Sequence, residues 1–378
     1  MAVLAHTFGH TEFRGPQASI VEHITAGGDA LVLMPTGGGK SICYQVPALC
    51  RPGVGVVISP LIALMEDQVG QLRQLGIQAW ALTSNLNASE ARRAWHAFEH
   101  QEPDLVYVSP ERLLTERFLE ILDHREIALF AIDEAHCVSQ WGHDFRPEYR
   151  QLAMLADRYA SVPRIALTAT ADEVTRRDII HQLRLAEARL FIASFDRPNI
   201  RYRVEARDNP RRQVLDFIRR HHSGEAGIVY AMSRKRVEDT ASFLVKEGIR
   251  ALPYHAGLDP RQRAHHHRRF LMEEGIVMVA TIAFGMGIDK PDVRFVVHLD
   301  MPRSFEAYYQ ETGRAGRDGH PADAYMVYGL QDVARIRGLM DASLAPEQVR
   351  RIEQKKLEAL LGYCESARCR RQVMLDYF

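Results

Sequence analysis

The chain has 378 residues, and at roughly 150 residues per domain this length makes two or three domains, each large enough to bury a core of its own. With 46% hydrophobic and 25% charged residues the composition is that of a soluble globular protein; no apolar run approaches the roughly 18 to 20 residues that span a bilayer, and a peptide-sized or staple-dependent fold is excluded. Forty-eight Lys and Arg balance 48 Asp and Glu, so net charge points to no membrane, nucleic acid or acidic substrate, and any such partner has to be argued from local residues.

Met1 to His10 lacks the basic-then-apolar order of a signal peptide, and five scattered cysteines do not make a disulfide framework; the expectation is a reducing, cytoplasmic compartment. From Ala30 onward short apolar runs alternate with amphipathic stretches. Ala30–Leu33, Val54–Ser59, Asp104–Val108, Ile127–Ile132 and Ile165–Thr168 read as buried parallel strands, with helical spacing between them at Leu61–Leu75 and Ala88–His100. The stretch Asp196-Arg197-Pro198-Asn199 reads as a break. A second series follows, with strands predicted at Gly227–Tyr230, Ala251–Tyr254, Ile276–Ala280, Phe295–His298 and Tyr325–Tyr328. The fold class is therefore α/β, two parallel-sheet domains in tandem, and from about Asp341 a short charged helical tail. The run His265-His266-His267 has no Cys or carboxylate company and reads as a solvated helix face.

The first strand runs into Met34-Pro35-Thr36-Gly37-Gly38-Gly39-Lys40-Ser41, with a helix predicted from Ile42. Such glycines let backbone N–H groups turn inward around a phosphate chain, Lys40 can reach the β/γ-phosphates and Ser41 can ligate Mg²⁺. Met34 stands where the strict motif has Gly. The strand Ile127–Ile132 ends in Asp133-Glu134-Ala135-His136, and ligands gather at the carboxyl ends of strands in open parallel sheets. Asp133 is expected to hold Mg²⁺ and Glu134 to orient and deprotonate the attacking water, which favours hydrolysis over transfer to an organic acceptor. In the second series Gly313-Arg314-Ala315-Gly316-Arg317 places two arginines three residues apart, suited on a helical turn to meet γ-phosphate charge from across a cleft.

These three motifs, in this order, resemble those of the superfamily 2 helicases. Phe8–Gln17, Ser59–Gln68, Ser139–Tyr149 and Ala283–Lys290 are similar to the corresponding motifs of the RecQ DNA helicases, and the resemblance covers essentially the whole chain. It implies two RecA-like domains, 1–196 for ATP binding and 197–340 for the second helicase domain, followed by the incomplete start of a helical zinc module at 341–378. It further implies that Gln17 reads the adenine edge and Arg14 packs on the ring, with His10 where the family often has Tyr, and that Asp289 meets the ribose. The loop 139–149 would couple DNA contact to ATP turnover: Trp141 and Phe145 offer stacking faces and Arg146 charge, a combination suited to single strands without sequence preference. Ser59, Ser109, Arg112, Arg197, Ser233, Arg234 and Thr281 would meet the DNA backbone, contacts that position without specifying.

What the resemblance implies as function is an ATP-dependent DNA helicase of 3′-to-5′ polarity acting in repair and recombination, with ATP and Mg²⁺ as cofactors and single-stranded and tailed or branched duplex DNA as partners. A monomer in the bacterial cytoplasm, at the nucleoid and not on a membrane, is expected. The competing readings are a translocase or remodeler without strand separation, a binding module with an inert ATP site, and a P-loop kinase. Cys369-Arg370-Arg371-Gln372 resembles the start of the zinc module, but Cys369 has no second pair of cysteines after it and Cys364 reads as a helical thiol. Zinc is therefore not expected, the chain reads as a truncated core or a natural short form, and the segment after about Ala367 is expected to fray.

Overall fold

The short aliphatic and β-branched runs become strands in both halves of the chain. The structure, a computed structural model, describes all residues except 1, 85, 101–102, 142–144, 283, 285–289 and 344–345. It divides into two compact units, Met1–Phe195 and Asp196–Phe378.

In the first unit the described strands are β1 (Ala30–Leu33), β2 (Val54–Ile58), β3 (Ala79–Leu82), β4 (Leu105–Val108), β5 (Ile127–Ile132), β6 (Arg164–Thr168) and β7 (Arg189–Ile192). They form one parallel sheet in the order β3-β4-β2-β5-β6-β1-β7. Ala30, Val32, Val57, Leu129, Ala131, Ile165 and Leu167 share one core cluster with residues of the helices Gln17–Thr25, Ile42–Cys50 and Ile62–Gln74. The alternate residues Leu31, Leu33, Val56, Ile58, Phe130 and Ile132 are buried too. A sheet covered on both faces has no polar side, which is why its central strands read as continuous apolar runs.

The second unit repeats the plan with β8 (Ile200–Ala206), β9 (Gly227–Tyr230), β10 (Ala251–Tyr254), β11 (Val277–Ala280), β12 (Phe295–His298) and β13 (Ala322–Tyr328). Their order is β10-β11-β9-β12-β13-β8, again parallel throughout the described strands. One face carries Val229, Val279, Phe295, Val297 and Tyr325, the other Ile228, Met278, Val296 and Ala324, each within its own core cluster.

Three strands escape the sequence reading: β3, β7 and β8. All three lie at sheet edges; β7 is largely exposed and β8 half exposed, and in β8 charged residues interrupt the apolar ones. The histidine run is only partly a solvated face, because His266 is buried with Nδ1 2.8 Å from the Pro253 carbonyl and His267 lies against Tyr254 and Phe284. The expected fraying after Ala367 is also corrected. A helix runs from Arg370 to Tyr377, Met374 is fully buried, and the Tyr377 and Phe378 rings lie 4.8 and 6.0 Å from that of Phe305. The preceding helix, Glu347–Glu365, docks through a buried Lys356–Glu306 ion pair at 2.7 Å and a Tyr308–Tyr363 hydroxyl contact at 3.2 Å. Aromatic burial on the helix Phe305–Thr312 is thus what orders the tail. Among the described residues no helix is long and apolar enough to cross a membrane.

Candidate nucleotide site and nucleic-acid interface

The order β5-β6-β1 brings three carboxyl ends side by side in the first unit. From β1 the chain enters Met34–Ser41, whose Gly37 and Gly39 take φ of +79° and +76° before the helix Ile42–Cys50 begins. A Cβ on Gly39 would stand 2.5 Å from Gln17 Nε2, so both conformation and space require glycine there. Lys40 Nζ donates to the loop's own carbonyls, Met34 O at 3.1 Å and Pro35 O at 3.4 Å. Gln17 is buried, and its amide is engaged by protein on both ends: Oε1 accepts from Arg14 N at 2.8 Å, and Nε2 donates to Gly38 O and Gly39 O at 3.2 and 3.1 Å. In this conformation the amide expected at an adenine edge is turned to the phosphate loop. Arg14 and His10 are exposed, and Asp289 lies outside the described residues.

Asp133 follows β5 directly and is buried, its N–H donating to Ile58 O at 2.9 Å. Burial, then the neighbouring Glu134, pushes its carboxyl up to about 7, while the Lys40 charge opposes the shift. A buried carboxylate that is costly to ionise, with an ammonium near it and Ser41 at the helix start, is a donor set that fits Mg²⁺ and a phosphate chain. Glu134 takes φ 49° and ψ 45°, a left-handed conformation that costs a non-glycine residue roughly 1–2 kcal/mol. Strain of this kind gathers where geometry matters to function. His136 Nδ1 lies 3.3 Å from Glu134 Oε2 and 3.0 Å from Thr168 Oγ1, and Thr168 Oγ1 donates to Thr170 O at 3.2 Å. Tyr149 donates its hydroxyl to Asp133 O at 3.0 Å. Thr168, Thr170 and Tyr149 are site residues the sequence reading missed. The available signal was Thr168-Ala169-Thr170 at the end of a strand that neighbours both β1 and β5.

Of the loop 139–149, residues 142–144, with His143 and Asp144, fall outside the described residues. Ser139 Oγ donates to Asp178 at 2.6 Å and accepts from Trp141 N at 3.2 Å, which fixes the near end of the loop to the helix Glu173–Gln182. Trp141 is half-buried and Phe145 exposed, with the Arg150 guanidinium 4.8 Å from the Phe145 ring. Arg146 N donates to Cys137 O at 2.8 Å, and its guanidinium reaches to 3.5 Å from Pro60 O.

The carboxyl ends of β4, β2 and β5 are neighbours, which brings Ser109, Ser59 and Asp133 onto one edge of the sheet. Ser109 Oγ caps the helix Pro110–Leu113 through Arg112 N, and the Arg112 guanidinium lies 6.0 Å from the Trp95 ring. Ser59 is buried, and its Oγ has no hydrogen-bond partner among the described residues. In the second unit β9 and β11 are neighbours, so Ser233 and Thr281 share an edge; Ser233 caps the helix Arg234–Lys246, and both Ser233 and Arg234 are exposed. Asp300, unnoticed in the sequence, holds this edge by accepting from Met232 N at 2.9 Å and pairing with Arg236 at 2.9 Å.

Arg314 and Arg317 sit on the turn that follows the helix Phe305–Thr312, not on a helical turn as expected. Both are near enough to Tyr230 to oppose the upward shift, to about 12, that burial imposes on its hydroxyl. Arg314 is only 4% exposed and bonds that hydroxyl, whereas Arg317 is half-buried. Arg197, expected on DNA, is corrected: it is buried and donates to the carbonyls of Gly313, Ala315 and Gly316. Cys369 is exposed, and burial pushes the Cys364 thiol up to about 12. Among the described residues no group of three His, Cys, Asp or Glu is gathered to hold a metal ion.

Residues 14–178 match the DEAD/DEAH box helicase family, 210–319 the helicase conserved C-terminal domain and 330–378 the RecQ zinc-binding family. The ATP-dependent DNA helicase RecQ of Pasteurella multocida is 48% identical over 377 residues, 100% of this chain and 59% of that protein. The same-named protein of Haemophilus influenzae is 46% identical, covering 100% and 61%, and the RecQ-like DNA helicase BLM of Xenopus laevis 42%, covering 100% and 29%. The chain thus spans about three fifths of the length of the two bacterial relatives. Among solved structures, DEAD-box helicase Mss116 bound to ssRNA and UDP-BeF superposes with a TM-score of 0.70 at 17% identity, over 93% of this chain and 79% of that one. Helicase Lhr of Mycobacterium smegmatis bound to ssDNA and AMP-PNP gives 0.66 at 18%, over 94% and 56%. At such identities these likenesses speak to the fold. With two fifths to nearly half of its positions matched along its whole length in bacterial and animal relatives alike, the chain belongs to the RecQ family of superfamily 2 helicases.

Proposed function

We propose that this chain is a DNA-stimulated ATPase that couples hydrolysis to 3′-to-5′ movement on single-stranded DNA and to separation of tailed or branched duplexes, in repair and recombination. The observation that carries the reading is the convergence of Lys40, Thr168 and Asp133-Glu134 at the carboxyl ends of three adjacent strands. Bound Mg²⁺ and ATP would supply a polarised γ-phosphoryl group, with Ser41 and Asp133 as the residues to hold the cation. Thr36 to Ser41 wrap the phosphates, and Lys40 exchanges loop carbonyls for phosphate oxygens. Glu134 orients the attacking water and takes its proton. Arg317 stabilises the charge that builds on the transferred group, and Arg314 supports it. Gln17 releases its loop carbonyls to meet the adenine, with Arg14 on the ring and Asp289 at the ribose.

The names of the relatives support DNA as the track. Ser59, Ser109, Arg112, Ser233, Arg234 and Thr281 are the proposed backbone contacts, and Trp141, Phe145 and Arg146 the proposed sensors of unpaired bases. The chain works as a cytoplasmic monomer at the nucleoid. The test is ATP hydrolysis with and without single-stranded DNA, followed by unwinding of duplexes with 3′ or 5′ tails. Stimulation with preference for the 3′ tail is expected; hydrolysis indifferent to DNA would sink the reading, and stimulation without strand separation would favour a translocase.

A further inference from the structure

The turn that carries Arg314 and Arg317 is held from beneath by a segment more than a hundred residues earlier. Arg197 Nη1 donates to Gly313 O at 3.0 Å, and Nη2 donates to Ala315 O and Gly316 O at 2.9 and 3.1 Å. Two residues on, Asn199 Nδ2 donates to Gly316 O at 2.8 Å and to His320 O at 2.9 Å. Gly316 has φ +56°, and a Cβ there would stand 2.4 Å from Asn199 Nδ2. Side chain and turn are therefore fitted to each other with no room to spare. The carbonyls concerned follow the last turn of the helix Phe305–Thr312, where unpaired acceptors and the negative end of the helix dipole favour a cation. A planar guanidinium can serve three carbonyls from one fixed fork, and a lysine ammonium cannot.

The same segment is gripped on its other side. Arg371 Nη2 donates to the carbonyls of Arg197, Pro198 and Ile200 at 3.5, 3.0 and 2.9 Å, and Arg371 Nε lies 3.4 Å from Asp196 Oδ1. A relay of two arginines thus runs from the tail helix, through the backbone of 196–200, to the arginine turn.

We propose that Arg197 is a positioning residue for ATP hydrolysis: its guanidinium, braced by Arg371, fixes the backbone of residues 313–316 and with it the direction in which the adjoining Arg317 is presented. The proposal rests on the reading of Arg317 given above. Displacement of a catalytic group by about 1 Å can cost 10²-fold in rate without loss of binding, and that is the signature to look for.

The full chain is compared with Arg197→Lys, Arg317→Ala and the double variant, measuring kcat and KM for ATP with saturating oligothymidylate, affinity for that strand, and thermal melting. Arg197→Lys keeps the charge and is expected to lower kcat by about 10–10²-fold, with KM and strand affinity within about threefold. The double variant should be no slower than Arg317→Ala alone, because a residue that acts only through another adds nothing once that one is gone. Multiplying losses in the double variant, or weakened strand affinity at unchanged kcat, would overturn the proposal, the second outcome restoring Arg197 as a DNA contact. Parent-rate hydrolysis by Arg317→Ala would overturn the reading beneath it; loss in Arg317→Ala with parent rate in Arg197→Lys overturns this proposal alone. If Arg197→Lys melts early, Arg371→Ala carries the test, with a smaller loss of the same kind expected and none overturning it.

Discussion

In the proposed mechanism Lys40 and Glu134 act on the same phosphate chain at different moments, and substitutions should separate them. Lys40→Ala removes the charge that binds the phosphates, so nucleotide affinity should fall together with hydrolysis. Glu134→Gln keeps size and polarity, so affinity should hold within about threefold while turnover drops by about 10²–10⁴, the usual worth of a general base. Nucleotide binding and hydrolysis measured side by side check both, and parent-rate hydrolysis by Glu134→Gln would remove the assignment. Arg317→Ala should likewise bind nucleotide and lose on the order of 10³ in turnover, read from single-turnover rates. At this scale the sequence offers candidates most readily where chemistry is packed into contiguous residues, as in 36–41, 133–134 and 313–317. It was silent where a residue's role depends on a distant partner. Nothing around Tyr149 or Asp300 announces that they meet the Asp133 carbonyl and Met232 N, and the Thr168-Ala169-Thr170 signal does not name His136 as a partner. Likewise nothing around Arg197 announces the three carbonyls it meets from residues 313–316.

At the scale of elements, strands buried on both faces declared themselves, whereas β8, with Arg201, Arg203 and Glu205 alternating along an edge, did not. Parallel central strands need continuous apolar runs, and edge strands have only one neighbour to satisfy. The loop that begins at Ser139 is tied at its start to Asp178 and, through the turn Ala135–Val138, to the Thr168 hydroxyl. DNA bound at Trp141 would pull on that turn. Trp141→Ala should therefore keep basal hydrolysis and melting temperature but lose most stimulation by single-stranded DNA. A stable variant with full stimulation would return Trp141 to a packing role.

Across the whole molecule, the tail is an integral part of the second unit. Met374→Ala should lower the stability of that unit by about 2–3 kcal/mol, as for other buried large-to-small changes, and leave nucleotide binding by the first unit intact; denaturant unfolding followed with and without nucleotide reads the two separately. Residues 330–378 match the RecQ zinc-binding family, yet their described donors do not gather around a metal position.

The pairing of β8 with β13 has a consequence for biosynthesis. β8 is the first strand of its unit to leave the ribosome, but its strand partner, from Ala322 to Tyr328, is the last. The clamp by Arg371 on residues 197–200 comes later still. During all the intervening translation the nascent second unit carries an unpaired strand edge, the kind of surface that invites chaperones or aggregation. Translation pauses between residues 206 and 322 should therefore lower the soluble yield of this protein more than pauses within the first 195.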